Sequence, residues 1–252
     1  MTKVLCIIQA RMGSTRLPGK IIKEIKSRPL LSYVIDRVKR SKKIDKIIVA
    51  TTNLPEDDAT EALCLKEGID CYRGSVNDVL GRYYEAAKKY PEYEAVVRVT
   101  GDCPLIDPKV IDQIIDLYQK GEFDYAANIL KETYPDGMDA EVFSKGVLEK
   151  AFKKAKLQSE REHVTLFIRN NPEFKKGNIE SKTDYSKFRF TVDNPEDFEV
   201  MKFIIENTPP DFGYEDYVRF VEAHPEILEK NLHIKRNEGL AKSLKNDKVV
   251  KQ

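Results

Sequence analysis

The sequence is poor in the residues that staple a fold or ligate a metal. Its four cysteines, Cys6, Cys64, Cys71 and Cys103, form no C-x-x-C pair, and its three histidines lie far apart. Neither a disulfide framework nor a zinc cluster is indicated, and a reducing compartment is expected. Long apolar runs are missing too. The apolar opening VLCII is too short for a signal peptide, and no other run approaches the roughly 20 residues of a membrane helix. Charge of one sign is also missing, because 43 Lys and Arg offset 42 Asp and Glu to a formal +1. General nucleic-acid binders carry a clear basic excess, so that class is excluded and any basic site is local. No Gly/Ser or Pro-rich linker, repeat or low-complexity tract divides the chain. A cytoplasmic protein with neither a nucleic-acid nor a membrane partner is expected.

What is present is an alternation. β-rich apolar runs at 4–10, 46–52 and 95–101 are interleaved with amphipathic helical patterns at 29–40, 56–67, 78–89 and 108–120. The runs do not alternate polar with apolar, which predicts strands buried on both faces and hence an α/β fold: a mostly parallel sheet between helix layers. Beyond residue 124 the rhythm changes. DYAANIL and MDAEVFS precede helices near 144–155 and 159–170, a strand FRFTVD at 188–193, and helices near 195–207 and 214–230. One domain over 1–232 is read, followed by a basic, poorly periodic tail at 233–252. That tail is an appended segment or a partner-contacting arm.

The stretch IIQARMGSTRLPGK (7–20) fails the P-loop rule. Its glycines, Gly13 and Gly19, are one residue too far apart, and Ile21 stands where a magnesium-binding hydroxyl belongs. It nonetheless leaves the end of a strand with two glycines, the hydroxyls of Ser14 and Thr15, and three cations, Arg11, Arg16 and Lys20. In an open α/β sheet the carboxyl ends of strands form the ligand crevice. There glycines let backbone approach an anion, Arg supplies a planar fork and Lys a point charge.

Two aspartates end later strands. Asp102 closes VVRVTGDCP, where Asp107 before Pro108 is free to cap the next helix. Asp193 closes FRFTVDNPEDF, where Asn194, Pro195 and Asp197 suffice to start a helix. Neither Asp102 nor Asp193 is needed for capping. If both strands run parallel to the first, the two carboxylates face the cationic loop and form a hard-oxygen magnesium site completed by phosphate oxygens and water.

These residues resemble the cytidylyltransferases that activate acidic sugars: CMP-KDO synthetase, acylneuraminate cytidylyltransferase and above all the spore-coat polysaccharide biosynthesis protein F group. QARMGSTRLPGK resembles their first motif, GDCP the central G-D-x-P, REHVTLFIR the substrate-side histidine segment and VDNPEDF the late V-D-x-P-E-D. YRGSVNDVLGRYYEAA and GMDAEVFS are similar to the spore-coat group in particular. The resemblance implies a Rossmann-like nucleotidyltransferase fold, a three-layer sandwich with a mostly parallel sheet. It also implies CTP as donor, Mg2+, pyrophosphate release and a homodimer. The segments around Asp102 and at 71–86 differ from the KDO enzymes, so neither KDO nor sialic acid follows as the acceptor.

Candidate roles follow. Arg11, Arg16 and Lys20 hold phosphates, with Arg11, Lys20 and Asp102 as the catalytic set, and Asp102 and Asp193 as the Mg2+ ligands. Backbone around Ala10, with Gly13 and Ser14, completes the nucleotide site. Asn77 and Arg82 read cytosine or ribose, or Asn77 caps a helix. His163 lies in SEREHVTLFIR, where Ser159 and Glu162 can form a capping box, and the resemblance gives it an acceptor role. Arg161 meets an acceptor carboxylate or pairs with neighbouring glutamates. The competing activity is a glycosyltransferase, which uses a D-x-D metal pair; DGMDAE and GDCPLID lack that spacing.

Overall fold

The computed structural model describes residues 2–250. The strands are β1 (Val4–Gln9), β2 (Glu24–Ile25), β3 (Arg28–Pro29), β4 (Lys46–Thr52), β5 (Asp70–Gly74), β6 (Ala95–Thr100), β7 (Tyr125–Ala127), β8 (Glu141–Ser144) and β9 (Lys176–Asn178). The helices are α1 (Leu30–Lys39), α2 (Asp58–Lys66), α3 (Val79–Lys88), α4 (Pro108–Gln119), α5 (Lys145–Lys154), α6 (Gln158–Glu162), α7 (Leu166–Asn170), α8 (Pro195–Asn207), α9 (Tyr214–Glu222), α10 (Pro225–Leu228) and α11 (Glu238–Lys245).

The central strand explains the sheet. Along β1, Val4, Cys6 and Ile8 enter one apolar core while Leu5 and Ile7 enter a second on the opposite face. Full burial of each such aliphatic side chain stabilises by roughly 1.5–3 kcal/mol, so a strand covered on both faces gains from a continuous apolar run. The first core is closed by α1, α4, α8 and α9, and the second by α3, α5 and α7, giving three layers. The seven-stranded sheet has the order β5-β4-β1-β6-β8-β7-β9. Strand β1 pairs parallel with both β4 and β6, whereas β8 is antiparallel to both of its neighbours. The chain builds outward from β1 to β4 and β5, then crosses to β6 on the other side. The carboxyl ends of β1 and β6 therefore flank a switch point, the standard crevice of such sheets. Gly101 lets the two exits touch: its N–H donates to Gln9 O at 2.7 Å, and a Cβ there would lie 2.9 Å from that of Ala10.

Three expected elements change. Residues 188–193 do not form a strand of the sheet. Phe188, Phe190 and Val192 join the apolar core and Arg189 and Thr191 between them are buried too, but their neighbours are loop backbone, leaving one parallel bridge between Asp136 and Arg189 and a bond from Val192 N to Asp102 O at 2.8 Å. The helix expected at 159–170 breaks into α6 and α7 because Val164, fully buried, adopts φ 45°, which a β-branched residue reaches only when packing compensates. The helix expected at 214–230 breaks at His224, since Pro225 has no N–H to continue it.

Gly137 is the hinge of the first of these changes. It adopts φ 101°, and a Cβ there would stand 2.4 Å from Phe190 O. Gly137→Ala is expected to cost roughly 3 kcal/mol or more, read as a shifted urea midpoint, because the obstruction is backbone. An unshifted midpoint would show that the 136–138 turn is free to move away from the segment carrying Asp193. No helix among the described residues is long and apolar enough to cross a membrane.

Candidate active site

The loop after β1 is held from below. The Met12 N–H donates to the fully buried Asp57 carboxylate at 2.9 Å, and Thr60 donates to the same oxygen at 3.0 Å. Burial alone would raise the Asp57 pKa, but bonds from Thr52, Met12 and Thr60 hold it below the ordinary value, so the loop rests on a fixed anion. Gly19, at φ 67°, returns its N–H to Met12 O at 3.1 Å and closes the turn. Buried Leu17 and Ile21 pin the far side.

Lys20 then points inward. Its Nζ donates to Asp102 Oδ2 at 2.8 Å, Asp193 Oδ1 at 2.9 Å and Val192 O at 2.7 Å. Burial opposes its charge, but the two carboxylates outweigh burial and raise its pKa. Asp102 shows the complement: burial pushes it up, yet Lys20 and Thr100 bring it down to about 2. Arg16 reaches Asp193 Oδ1 at 2.9 Å from the other side. Asp193 in turn accepts from Arg189 Nη2 at 3.1 Å, while Asp197, fully buried, accepts from Arg189 Nε at 2.8 Å and from the Asn194 N–H at 3.0 Å. The two aspartates thus meet beside the cationic loop although the second does not end a strand; Arg189 and the helix start at Asn194 position it.

These groups lie in a cleft of about 650 Å³ at the ends of β1 and β6. Ala10, Arg11, Ser14, Arg16, Lys20, Asp102, His163 and Asp193 line it. The guanidinium of Arg11 has no hydrogen bond or ion pair among the described residues. Gly13 lies outside the lining, against Glu56.

Other expected residues sit elsewhere. Arg161 and Asn77 line a second cavity of about 540 Å³ with Asp78, Phe152 and Val250. Arg161 pairs with Asp78 rather than with glutamates, donates to Phe152 O at 2.7 Å and stacks over the Phe152 ring. Asp78, not Asn77, caps α3 by accepting from Gly81 N at 2.8 Å. Arg82 is buried beneath the sheet edge with Nη1 on Ser75 O at 3.1 Å, its Nε and Nη2 lacking partners, and burial lowers its pKa. Ser159 does not cap α6 either. Its N–H and hydroxyl bond Asp247, and Glu160 rather than Glu162 closes the helix start by accepting from Leu157 N at 3.0 Å. His163 Nε2 lies 3.0 Å from Ser243 Oγ, and burial lowers its pKa.

The sequence reads the tail as an appended segment or a partner-contacting arm. Over its described part it returns to the domain, and Glu238, Lys242 and Ser243 of α11 line the cleft. Lys251 and Gln252 lie outside the described residues. Asp57 and the α11 residues carried no local sequence signal, since they reach the site through partners distant in the chain, whereas Arg189 acts on Asp193 and Asp197 in a segment that reads as a strand followed by a helix start.

The donor set suits magnesium. Among the described residues no three carboxylate, imidazole or thiolate groups converge. The Asp102 and Asp193 carboxylates, bridged here by the Lys20 ammonium, have the hard-oxygen chemistry of an ion that keeps waters and takes one or two protein carboxylates.

Comparison with known proteins gives three findings. A family model described as cytidylyltransferase matches residues 5–235. The spore coat polysaccharide biosynthesis protein SpsF of Bacillus subtilis is 32% identical over 238 residues, covering 90% of this chain and 97% of that protein, and a 3-deoxy-manno-octulosonate cytidylyltransferase of Anaeromyxobacter sp. is 35% identical over 48% of this chain and 49% of its own length. Among solved structures, a cytidylyltransferase from Leptospira borgpetersenii superposes with a TM-score of 0.87 at 39% identity, covering 94% of this chain and all of that one.

Proposed function

The chain belongs to the cytidylyltransferase family, and on that premise we propose that it transfers CMP from CTP to an acidic sugar or related acidic acceptor. Pyrophosphate is released, and the product serves surface polysaccharide or glycoconjugate synthesis. The observation that carries this reading is the meeting of Lys20, Asp102 and Asp193 beneath a loop that also presents Arg11 and Arg16. The relatives that carry polysaccharide and octulosonate names support the acceptor class. A homodimer in the cytoplasm belongs to the same proposal.

The reaction is an in-line displacement. An acceptor oxygen forms a bond to the α-phosphorus as the bond from that phosphorus to the β-bridging oxygen breaks, and pyrophosphate leaves with the electron pair. Arg11 and Arg16 orient the phosphates, and Lys20 offsets the charge that grows on the leaving group. Asp102 and Asp193 would hold Mg2+, which supplies charge neutralisation to phosphate oxygens when bound. No dedicated base is required: an acceptor carboxylate or phosphate arrives ionised and has no proton to lose, whereas an acceptor hydroxyl gives its proton to water or to a phosphate oxygen as its bond to phosphorus forms. His163, in the wall of the cleft, is proposed to orient the acceptor.

The test is a panel of acidic sugars incubated with CTP and Mg2+, scored by pyrophosphate release and product mass. At least one acceptor is expected to gain the mass of CMP with one pyrophosphate per turnover. Turnover of nucleotide sugars alone would replace this reading with glycosyl transfer.

A further inference from the structure

The chain after Leu232 is a strap across the cleft. It is fixed before α11 by Arg236, which donates to Tyr134 O at 3.0 Å and pairs with Asp139 at 2.5 Å, and by Asn237 on Glu132 at 2.7 Å. It is fixed again after α11: Asp247 takes the Ser159 hydroxyl at 2.6 Å, Lys248 O accepts from Gln158 N at 2.8 Å, and Val250 N donates to Lys156 O at 2.8 Å. Between these anchors α11 turns one face to the cleft, because residues four apart share a helix face: Glu238, Lys242 and Asn246, with Gly239 and Ser243 beside them.

The charges on that face are placed against the site. Glu238 Oε2 lies 3.3 Å from Arg16 Nη1, so a carboxylate of the strap occupies an arginine that faces the phosphate position. One turn on, Lys242 lines the same cleft, and its ammonium has no hydrogen bond or ion pair among the described residues. Lys20 and Arg16 spend charge on Asp102 and Asp193; Lys242, with Arg11, is uncommitted. A triphosphate entering here would gain more from uncommitted cations than from paired ones, because a paired cation must first give up its carboxylate.

We propose that α11 is a working wall of the nucleotide site, in which Lys242 binds the triphosphate of CTP and Glu238 competes with that triphosphate for Arg16. This rests on the CTP reading above. The two residues consequently act on CTP affinity with opposite signs, which a purely structural strap would not produce.

The experiment is a calorimetric titration of CTP with Mg2+, without acceptor, into the wild-type protein and the Lys242→Ala, Glu238→Gln and Arg11→Ala variants. Lys242→Ala is expected to raise the Kd for CTP about tenfold, and Glu238→Gln to lower it about threefold. Both side chains are solvent-accessible, so thermal melts serve as the control that each variant folds. Kd values for Lys242→Ala and Glu238→Gln within twofold of wild type, with Arg11→Ala weakened, would overturn the strap's role and leave the CTP reading standing. Weakening in both strap variants would overturn it as well, by assigning α11 a support role only. A wild-type protein that binds no CTP would overturn the function and the strap together.

Discussion

Asp102→Asn is expected to lower CTP turnover by about a thousandfold or more while the protein still folds. Asparagine keeps the shape and can still accept from Lys20 Nζ, which lies 2.8 Å from the carboxylate. It cannot supply the negative charge that Mg2+ would need there. Stability changes in a separate and readable way. The Asp102 pKa is about 2, below its ordinary value because Lys20 outweighs the effect of burial, so ionised Asp102 favours the folded state. That contribution is present above the unfolded pKa near 4 and is lost as pH falls toward 2. Its size is on the order of 2 kcal/mol at neutral pH, so Asp102→Asn should melt earlier at pH 7 and lose this acid sensitivity near pH 2–4. Pyrophosphate assays and circular dichroism melts check the two halves. A variant with wild-type turnover would remove Asp102 from the chemistry.

Lys20→Ala has the second largest expected effect and a more distinctive signature. The Lys20 side chain is 10% exposed, and its ammonium joins Asp102, Asp193 and Val192 O. Removing it leaves two partly buried carboxylates facing each other, which is expected to cost roughly 2–3 kcal/mol without divalent cations. Turnover should fall about a hundredfold to a thousandfold, because a cation that offsets leaving-group charge is gone. Mg2+ should then raise the melting temperature of Lys20→Ala by more than it raises that of wild type, since the ion can take the place of the lost positive charge between the carboxylates. An equal Mg2+ response in both proteins would show that these carboxylates are not where the ion acts. Wild-type kinetics would return the loop to a plain connection.

The parts of this site that could be read in the sequence are those whose chemistry is local. VLCII is apolar throughout because β1 is covered on both faces, and the loop after it concentrates cations, glycines and hydroxyls within a few residues of the strand end. Asp102 stood out because Asp107 already caps α4, accepting from Lys109 N at 2.8 Å. Asp193 was legible for the same reason, but the geometry that delivers it was not. The alternation of Phe188, Phe190 and Val192 suggested a strand, whereas the segment is held by Gly137, by Asp102 backbone and by Arg189. The supporting residues are invisible locally: Asp57 reads as one acid among three in PEDD, and its role appears only when Met12 donates to it from another loop. Arg161 and Asn77 looked like ligand contacts by pattern, but helix packing turns them into a neighbouring cavity. The tail lacks an apolar stripe wide enough to announce a helix, and it is held mainly by polar contacts from residues far earlier in the chain.

The central claim concerns which phosphorus is attacked. The direct measurement uses CTP labelled with 32P at either the α or the γ position, with Mg2+ and the acidic sugar panel. α-Label is expected in the acceptor adduct and γ-label in pyrophosphate, in equal amounts and with both lost in Asp102→Asn. γ-Label on the acceptor, or no transfer of α-label to any acidic acceptor, would contradict it.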